Sequence, residues 1–389
     1  MKKKEEYIIY GLIVSAFVSI SVFESLTSIL LLYTVYFSVK KSINIRGKLL
    51  GGLSLYSLPT LISTSLYGSV GKAVEQSVFP FLYLLKDRVK LGLDSFKKVN
   101  LILIGIGWIL APVALYKYQF LGEYGMLWGG PFEIGMWFSL FSIASLSMFI
   151  LSSKYKETVK MIFYGSSFTV FTIFALLSAR RNSILGFFVT LVIMMFIYRR
   201  LIPKKILTVI FSVVLVSGLI FSLYLVKRDV RFEVLYKVAR GEVSLNDETA
   251  NLIASGRWQL LNEGLEVIKK DIQNLNLFNL FVGHGVGCGN RLKPKSFNGS
   301  DYESTIFISE FIVRGIFGLL GIFLMMFSYY RFIFSLKFSL VEDLLLAPSL
   351  LMLSCIFIGS IFSVFWDALL PLYLLMFGVS ENYLKNRPP

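Results

Sequence analysis

Six charged or titratable side chains and one glycine-rich turn carry the chemistry that this sequence could perform. Arg180 and Arg181 are adjacent, Arg257 follows Ser255-Gly256, and Arg314 stands before Gly315 inside an apolar run. His284 lies between two glycines in the turn from Gly283 to Asn290, and Glu303 closes the run Asp301-Tyr302-Glu303. A guanidinium keeps its charge and offers a planar fork to phosphate oxygens, so the arginines suit the holding of a phosphorylated group. Glu303, Asp301 or His284 could accept a proton from a hydroxyl. The glycine turn could present backbone N–H groups to an anion, or serve only as a flexible loop.

Each of these residues also has an ordinary structural reading. Arg180 and Arg181 could meet lipid head groups or cap a helix C-terminus. Arg257 could be a surface residue paired with Glu263. Arg314 lies in an apolar stretch, where a charge either faces a polar cavity or snorkels to the interface. Glu303 could be a capping carboxylate at a helix start. One histidine and two widely separated cysteines, Cys288 and Cys355, point to no internal disulfide and no transition-metal site, so no cofactor is expected.

The elements that must position these groups are membrane helices. Of 389 residues, 56% are hydrophobic and 16% charged, against roughly 25% charge in an ordinary soluble domain. The apolar residues fall in runs of about 17–25, the length a helix needs to cross a bilayer, and in lipid such runs must be helical to satisfy their own backbone. An all-α polytopic integral membrane protein of about twelve spans is therefore expected. The runs lie near 7–23, 26–39, 49–67, 70–85, 99–116, 134–151, 159–177, 184–198, 206–226, 306–330, 344–365 and 368–379. The fourth holds Lys72, Glu75 and Pro80, so it also reads as a re-entrant or interfacial segment. The basic start of the chain has no cleavage site behind it and reads as an uncleaved anchor.

The net charge of +15 would suggest nucleic acid in a soluble protein, but most of the 39 basic residues fall in alternate short connections between spans. That asymmetry places those connections and both termini on the cytoplasmic side. Three regions follow: a bundle over 1–226, a large extracytoplasmic loop over 227–305 with 11 basic and 10 acidic residues, and a C-terminal set of spans over 306–389. Within the loop Trp258, Leu261, Leu265 and Ile268 form an amphipathic stripe, with Ser255 expected as the N-cap of its helix.

The order of these motifs resembles the O-antigen and capsular polysaccharide polymerase/ligase superfamily. The resemblance rests on Ala254-Ser255-Gly256-Arg257-Trp258, then Gly283-His284-Gly285-Val286-Gly287-Cys288-Gly289-Asn290, then Glu303-Ser304 leading to Arg314-Gly315-Ile316-Phe317-Gly318. Ser178-Ala179-Arg180-Arg181-Asn182-Ser183 is similar to a basic outer turn of the same family. Ligase-type members carry His-Asn about eleven residues before the glycine pair; here that position holds Ser304-Thr305. A polymerase is thus favoured over a ligase.

The resemblance implies a GT-C-like, metal-independent glycosyltransferase of the bacterial cytoplasmic (inner) membrane, working at its outer face. Its substrate would be undecaprenyl-pyrophosphate-linked oligosaccharide, with membrane lipids, a flippase and a chain-length regulator as further partners and no nucleic acid. Arg180, Arg181, Arg257 and Arg314 would contact the diphosphate. Glu303, Arg257 and His284 would be catalytic, with Glu303 the first choice as base and His284 alternatively a sugar contact. A lipid-linked oligosaccharide flippase is the competing reading, although such carriers usually show repeated halves and short outer loops.

Overall fold

The computed structural model describes residues 2–41, 47–121, 127–178, 180–228, 230–297, 299 and 301–387; Arg46 of an expected inner connection and Ala179 of the basic turn lie outside them. Every regular element among the described residues is helical. The first part of the chain forms α1 (Lys2–Val18), α2 (Ile20–Lys41), α3 (Leu50–Tyr67), α4 (Val70–Ser77), α5 (Leu93–Tyr116), α6 (Pro131–Lys154), α7 (Thr158–Leu177), α8 (Arg181–Ile197) and α9 (Lys204–Arg228). The large loop folds into α10 (Val230–Ala239), α11 (Asp247–Ile253), α12 (Arg257–Gln273) and α13 (Leu277–Val282). The chain ends in α14 (Ile306–Ser335), α15 (Ala347–Ser360) and α16 (Leu370–Lys385).

Five stretches among the described residues are long and apolar enough to cross a membrane: Leu93–Leu121, Glu133–Lys154, Thr158–Leu177, Ile306–Ser335 and Val341–Ser360. Glu6–Val18, Ile20–Tyr36 and Arg181–Ile197 are shorter apolar helices. The fourth expected run is not one helix. Ser69 caps the short α4 by accepting from Lys72 N at 3.2 Å, and a 3-10 turn over Phe79–Asp87 follows. Pro80 has no N–H to continue the α-helical ladder and restricts Phe79 before it. The eleventh run also ends early: α15 stops at Ser360, and 361–369 is an irregular connection.

α6 is the central helix, buried along nearly its whole length. Ser139, Ser145 and Ser147 satisfy their hydroxyls on carbonyls one turn back, and Ser142 meets Thr172 of α7 at 2.7 Å. Small, internally satisfied residues let neighbouring backbones come close without stranding polar groups. The crossing of α3 and α14 uses the same device, since a Cβ on Gly52 or Gly321 would overlap the other helix.

α14 breaks at Gly315, whose φ of 66° and ψ of −172° are closed to ordinary L residues. The break exposes carbonyls that the helix would have used. Ile312 O accepts from His284 N at 2.8 Å and Val313 O from Gly285 N at 2.9 Å, so the glycine turn is docked into the gap. Gly283 and Gly315 make this possible: a Cβ on Gly283 would overlap the backbone of Val313 and Arg314, and one on Gly315 that of Phe281.

Beside the break, Arg314 and Glu310 form a fully buried ion pair. Arg314 Nε donates to Thr60 Oγ1 at 2.9 Å, its Nη2 donates to Gln76 Oε1, and its guanidinium lies 4.7 Å from the Tyr56 ring centroid. Glu310 Oε1 accepts from Phe365 N at 2.8 Å. One pair thus ties α3, α4, α14 and the 361–369 connection together.

Removing one member of a buried pair strands the other charge at a cost of about 3–5 kcal/mol. Arg314→Ala and Glu310→Ala should each lower the melting temperature of detergent-purified protein and enlarge its aggregate peak in size-exclusion chromatography. The double variant Glu310→Gln/Arg314→Met should recover much of the loss. Wild-type melting of Arg314→Ala would contradict this account.

Candidate functional site: an arginine-lined cavity

Two helix N-termini and four arginines meet at a cavity of about 410 Å³. Arg180 occupies the N-cap of α8 and Arg181 its first position, while Arg257 is the first residue of α12. Arg231, from α10, lines the same cavity. A helix N-terminus carries partial positive charge and favours anions, so cations placed there compound the field instead of relieving it.

The local chain conformation explains how the arginines reach one another. After α11, Ser255 (φ 58°) and Gly256 (φ 81°) both adopt the left-handed conformation, and this double turn swings Arg257 back toward α8. Gly256, not Ser255, is the N-cap of α12. Ser255 cannot cap from that conformation, and its hydroxyl is taken elsewhere: it accepts from Arg181 Nη2 at 3.1 Å and Arg231 Nη1 at 2.8 Å. Arg181 also donates to Ile253 O at 2.8 Å and lies 5.6 Å from the Phe232 ring centroid. Arg257 donates to Phe362 O, and Asn182 Nδ2 donates to the same oxygen at 3.0 Å, so the 361–369 connection is bound to the arginines.

Two carboxyls, Glu133 and Glu303, share the cavity with the four guanidinia. Glu133 is partly engaged, accepting from Gly130 N at 2.7 Å in the first turn of α6. Burial, and then Asp301, push the Glu303 carboxyl above the usual carboxylate range, with Arg257 opposing. Arg257 is held below the usual guanidinium range by burial and by Arg181 and Arg180 beside it. A cation so placed gains from any added negative charge. Glu303 is thus a half-buried carboxyl among excess positive charge.

A second cavity of about 560 Å³ shares Arg181, Asn182 and Arg257 with the first. Its other walls include Leu185, Ile253, Trp258, Leu261 and Phe362. A charged recess therefore opens beside an apolar one, with the same two guanidinia at their boundary.

Arg180, Arg181, Arg257 and Glu303 are brought together; His284 and Arg314 stand apart from them. His284 Nε2 lies 2.6 Å from Asp271 Oδ2, and its carbonyl accepts from Arg291 Nη2 at 3.1 Å, so it fastens the end of α12 to the glycine turn. Asp301 is engaged by the same turn, accepting from Gly287 N at 3.0 Å and Cys288 N at 2.8 Å. The anion that the turn's N–H groups bind is the chain's own carboxylate. Glu263, the expected surface partner of Arg257, instead accepts from Gln259 Nε2 at 2.8 Å and Phe297 N at 3.0 Å.

Sequence reasoning missed Arg231, Glu133 and the 361–369 connection. Arg231 stands just after α9 among many other loop charges, with nothing local to single it out. The connection had a readable signal: Trp366-Asp367 follows an apolar run containing Gly359. Asp367 is buried there, and burial, then Glu133, push its carboxyl up to about 7 against the opposing Leu369 N–H.

Hydrogen bonds to charged groups contribute about 1.5–3 kcal/mol each, or roughly tenfold or more in affinity. In calorimetric titrations with inorganic pyrophosphate, Arg181→Ala and Arg257→Ala should each weaken binding by about that factor. Arg240→Ala, which removes a surface arginine 3.6 Å from Glu242, should not. Equal affinity across all three variants would remove the cavity as an anion site.

No family model matches the chain. An uncharacterized protein from Aquifex aeolicus (strain VF5) is similar to it throughout, with 38% identity over 394 residues that cover 99% of each protein. At that identity and coverage, the chain belongs to the same family as the Aquifex aeolicus protein.

Proposed function

We propose that this protein is a polysaccharide polymerase that joins lipid-diphosphate-linked oligosaccharide units at the outer face of the cytoplasmic membrane, in a chain of about twelve spans with both termini inside and a GT-C-like arrangement. The observation that carries this reading is the pairing of the two cavities. A recess with four arginines, two helix N-termini and one raised-pKa carboxyl matches a diphosphate and a reacting hydroxyl. The adjoining apolar recess matches the lipid chain attached to the diphosphate.

A glycosyl diphosphate already contains a good leaving group, so the protein must mainly orient the reactants and absorb charge. The acceptor hydroxyl attacks the anomeric carbon, and the bond from that carbon to the diphosphate oxygen breaks. The bonding electrons leave with the diphosphate, whose developing charge is met by Arg180, Arg181, Arg231 and Arg257. The hydroxyl proton passes to Glu303. Arg314 acts at one remove, because its partner Glu310 holds the connection bearing Phe362, which accepts from Arg257 and Asn182.

The raised pKa of Glu303 has a defined sign. A carboxyl can serve as base only above its pKa, so activity should fall on the acid side in a limb above the ordinary carboxylate range. Purified protein given only lipid-linked repeat units should yield a ladder of longer lipid-linked glycans, equally with and without chelator. Glu303→Gln should lower turnover by about 100-fold or more and abolish the acid limb, while leaving substrate binding largely intact. Full elongation by Glu303→Gln would remove that residue as base. Translocation without elongation would replace the polymerase with a flippase.

A further inference from the structure

The bundle carries a second cationic cavity, remote from the arginines. It has a volume of about 710 Å³ and is lined by Lys48, Lys86 and Lys385 together with the apolar side chains of Phe332, Leu336 and Leu384. The 304–305 segment, which lines the apolar recess, precedes α14, whereas Phe332 stands in its last turn, roughly 24 Å of helix rise past the break at Gly315. The three lysines come from separate segments: the approach to α3, the 3-10 turn over Phe79–Asp87 and the last turn of α16.

The carboxylates at this cavity are already committed. Asp87 Oδ1 lies 2.9 Å from Lys86 Nζ, and Glu381 accepts from the Tyr83 hydroxyl and from Lys48 N at 3.1 Å. Lys86 is only 3% exposed, and its ammonium stands 5.3 Å from the Tyr83 ring centroid. Gly378 makes room for that stem, since a Cβ there would overlap both Lys86 and Tyr83. Lys48 and Lys385 are exposed residues that line the cavity.

We infer that this cavity is a binding site for the phosphate head group of an anionic membrane phospholipid, distinct from the arginine cavity and independent of the glycosyl-transfer reading. Free phosphate would need only the ammonium groups. The apolar walls select an anion that brings its own acyl chains, and a basic recess between spans on the lysine-rich side suits such a head group.

The test is retention of added lipid by detergent-purified protein, read by native mass spectrometry, with dioleoyl phosphatidylglycerol, dioleoyl phosphatidylcholine and inorganic phosphate as probes. Wild type should retain phosphatidylglycerol over phosphatidylcholine. Lys48→Gln/Lys385→Gln, whose two sites are exposed, should weaken that retention roughly tenfold or more. Arg257→Ala should leave it unchanged. The inference is overturned by equal retention of the two lipids, by wild-type retention in the lysine variant, or by loss in Arg257→Ala instead. Displacement of the lipid by equimolar inorganic phosphate would overturn it in favour of a soluble anion.

Discussion

Glu310 and Arg314 are both fully buried in a largely apolar bundle, and the architecture beside the arginine cavity hangs on that pair. Desolvating two such charges costs several kcal/mol each, which is recovered only where geometry is good and the remaining donors and acceptors find partners. Here Thr60, Gln76 and the Phe365 amide supply those partners. A hydrophobic replacement of similar volume would pack α3 against α14 equally well. It would not reach the irregular 361–369 connection, which needs an acceptor for its backbone N–H. The pair therefore fixes an otherwise irregular segment to the rigid bundle, and that segment supplies the Phe362 carbonyl on which Arg257 and Asn182 converge.

The break at Gly315 follows the same logic from the other side. An uninterrupted α14 would keep its carbonyls to itself and leave the glycine turn nothing to bind. By opening two carbonyls to His284 N and Gly285 N, it draws the turn against α3 and α14. The turn in turn holds Asp301 by two amides, two residues from Glu303. Glu303 is thus set by backbone contacts on one side and by the arginine cluster on the other. Its raised pKa arises mainly from burial, with Asp301 adding and Arg257 opposing. Placed nearer the guanidinia, the same carboxyl would ionise more readily and lose basicity.

Much of this was legible in the residue order, and what was not has identifiable physical reasons. Helical class and apolar runs follow from composition, because lipid leaves the backbone no other solution. Arg180, Arg181, Arg257 and Glu303 could be singled out because charges beside span ends or short polar motifs stand out against apolar surroundings. Arg314 also stood out, as a charge within an apolar run, but it lies in a buried pair away from the arginine cavity, and its partner Glu310, one helical turn away, went unweighed. The helix ends at Ser69, Gly256 and Ser360 were harder to place. Ser69 is a local cap hidden inside an apolar run, Gly256 follows a left-handed turn, and the end at Ser360 precedes an Ile361 carbonyl taken by the Ile306 amide. Arg231 had no local signature at all, since its place at the cavity arises only when α10 brings it to Ser255 and sets Phe232 beside Arg181.

The two cationic cavities show why charge alone does not identify a reactive centre. Both collect basic side chains, and both lie beside apolar walls. At the lysine cavity the carboxylates are already engaged, Asp87 with Lys86 and Glu381 with Tyr83 and the Lys48 amide. The arginine cavity differs in two respects. Its cations are guanidinia set at helix N-termini, where their fields add and their planar forks can follow charge as it shifts between phosphate oxygens. Its Glu303 lies among those cations with a raised pKa instead of a saturated ion pair. Binding requires only the first kind of arrangement. Transfer of a group from a phosphate to a hydroxyl also requires somewhere for the proton to go, and the arginine cavity sets Glu303, a carboxyl with a raised pKa, beside its cations.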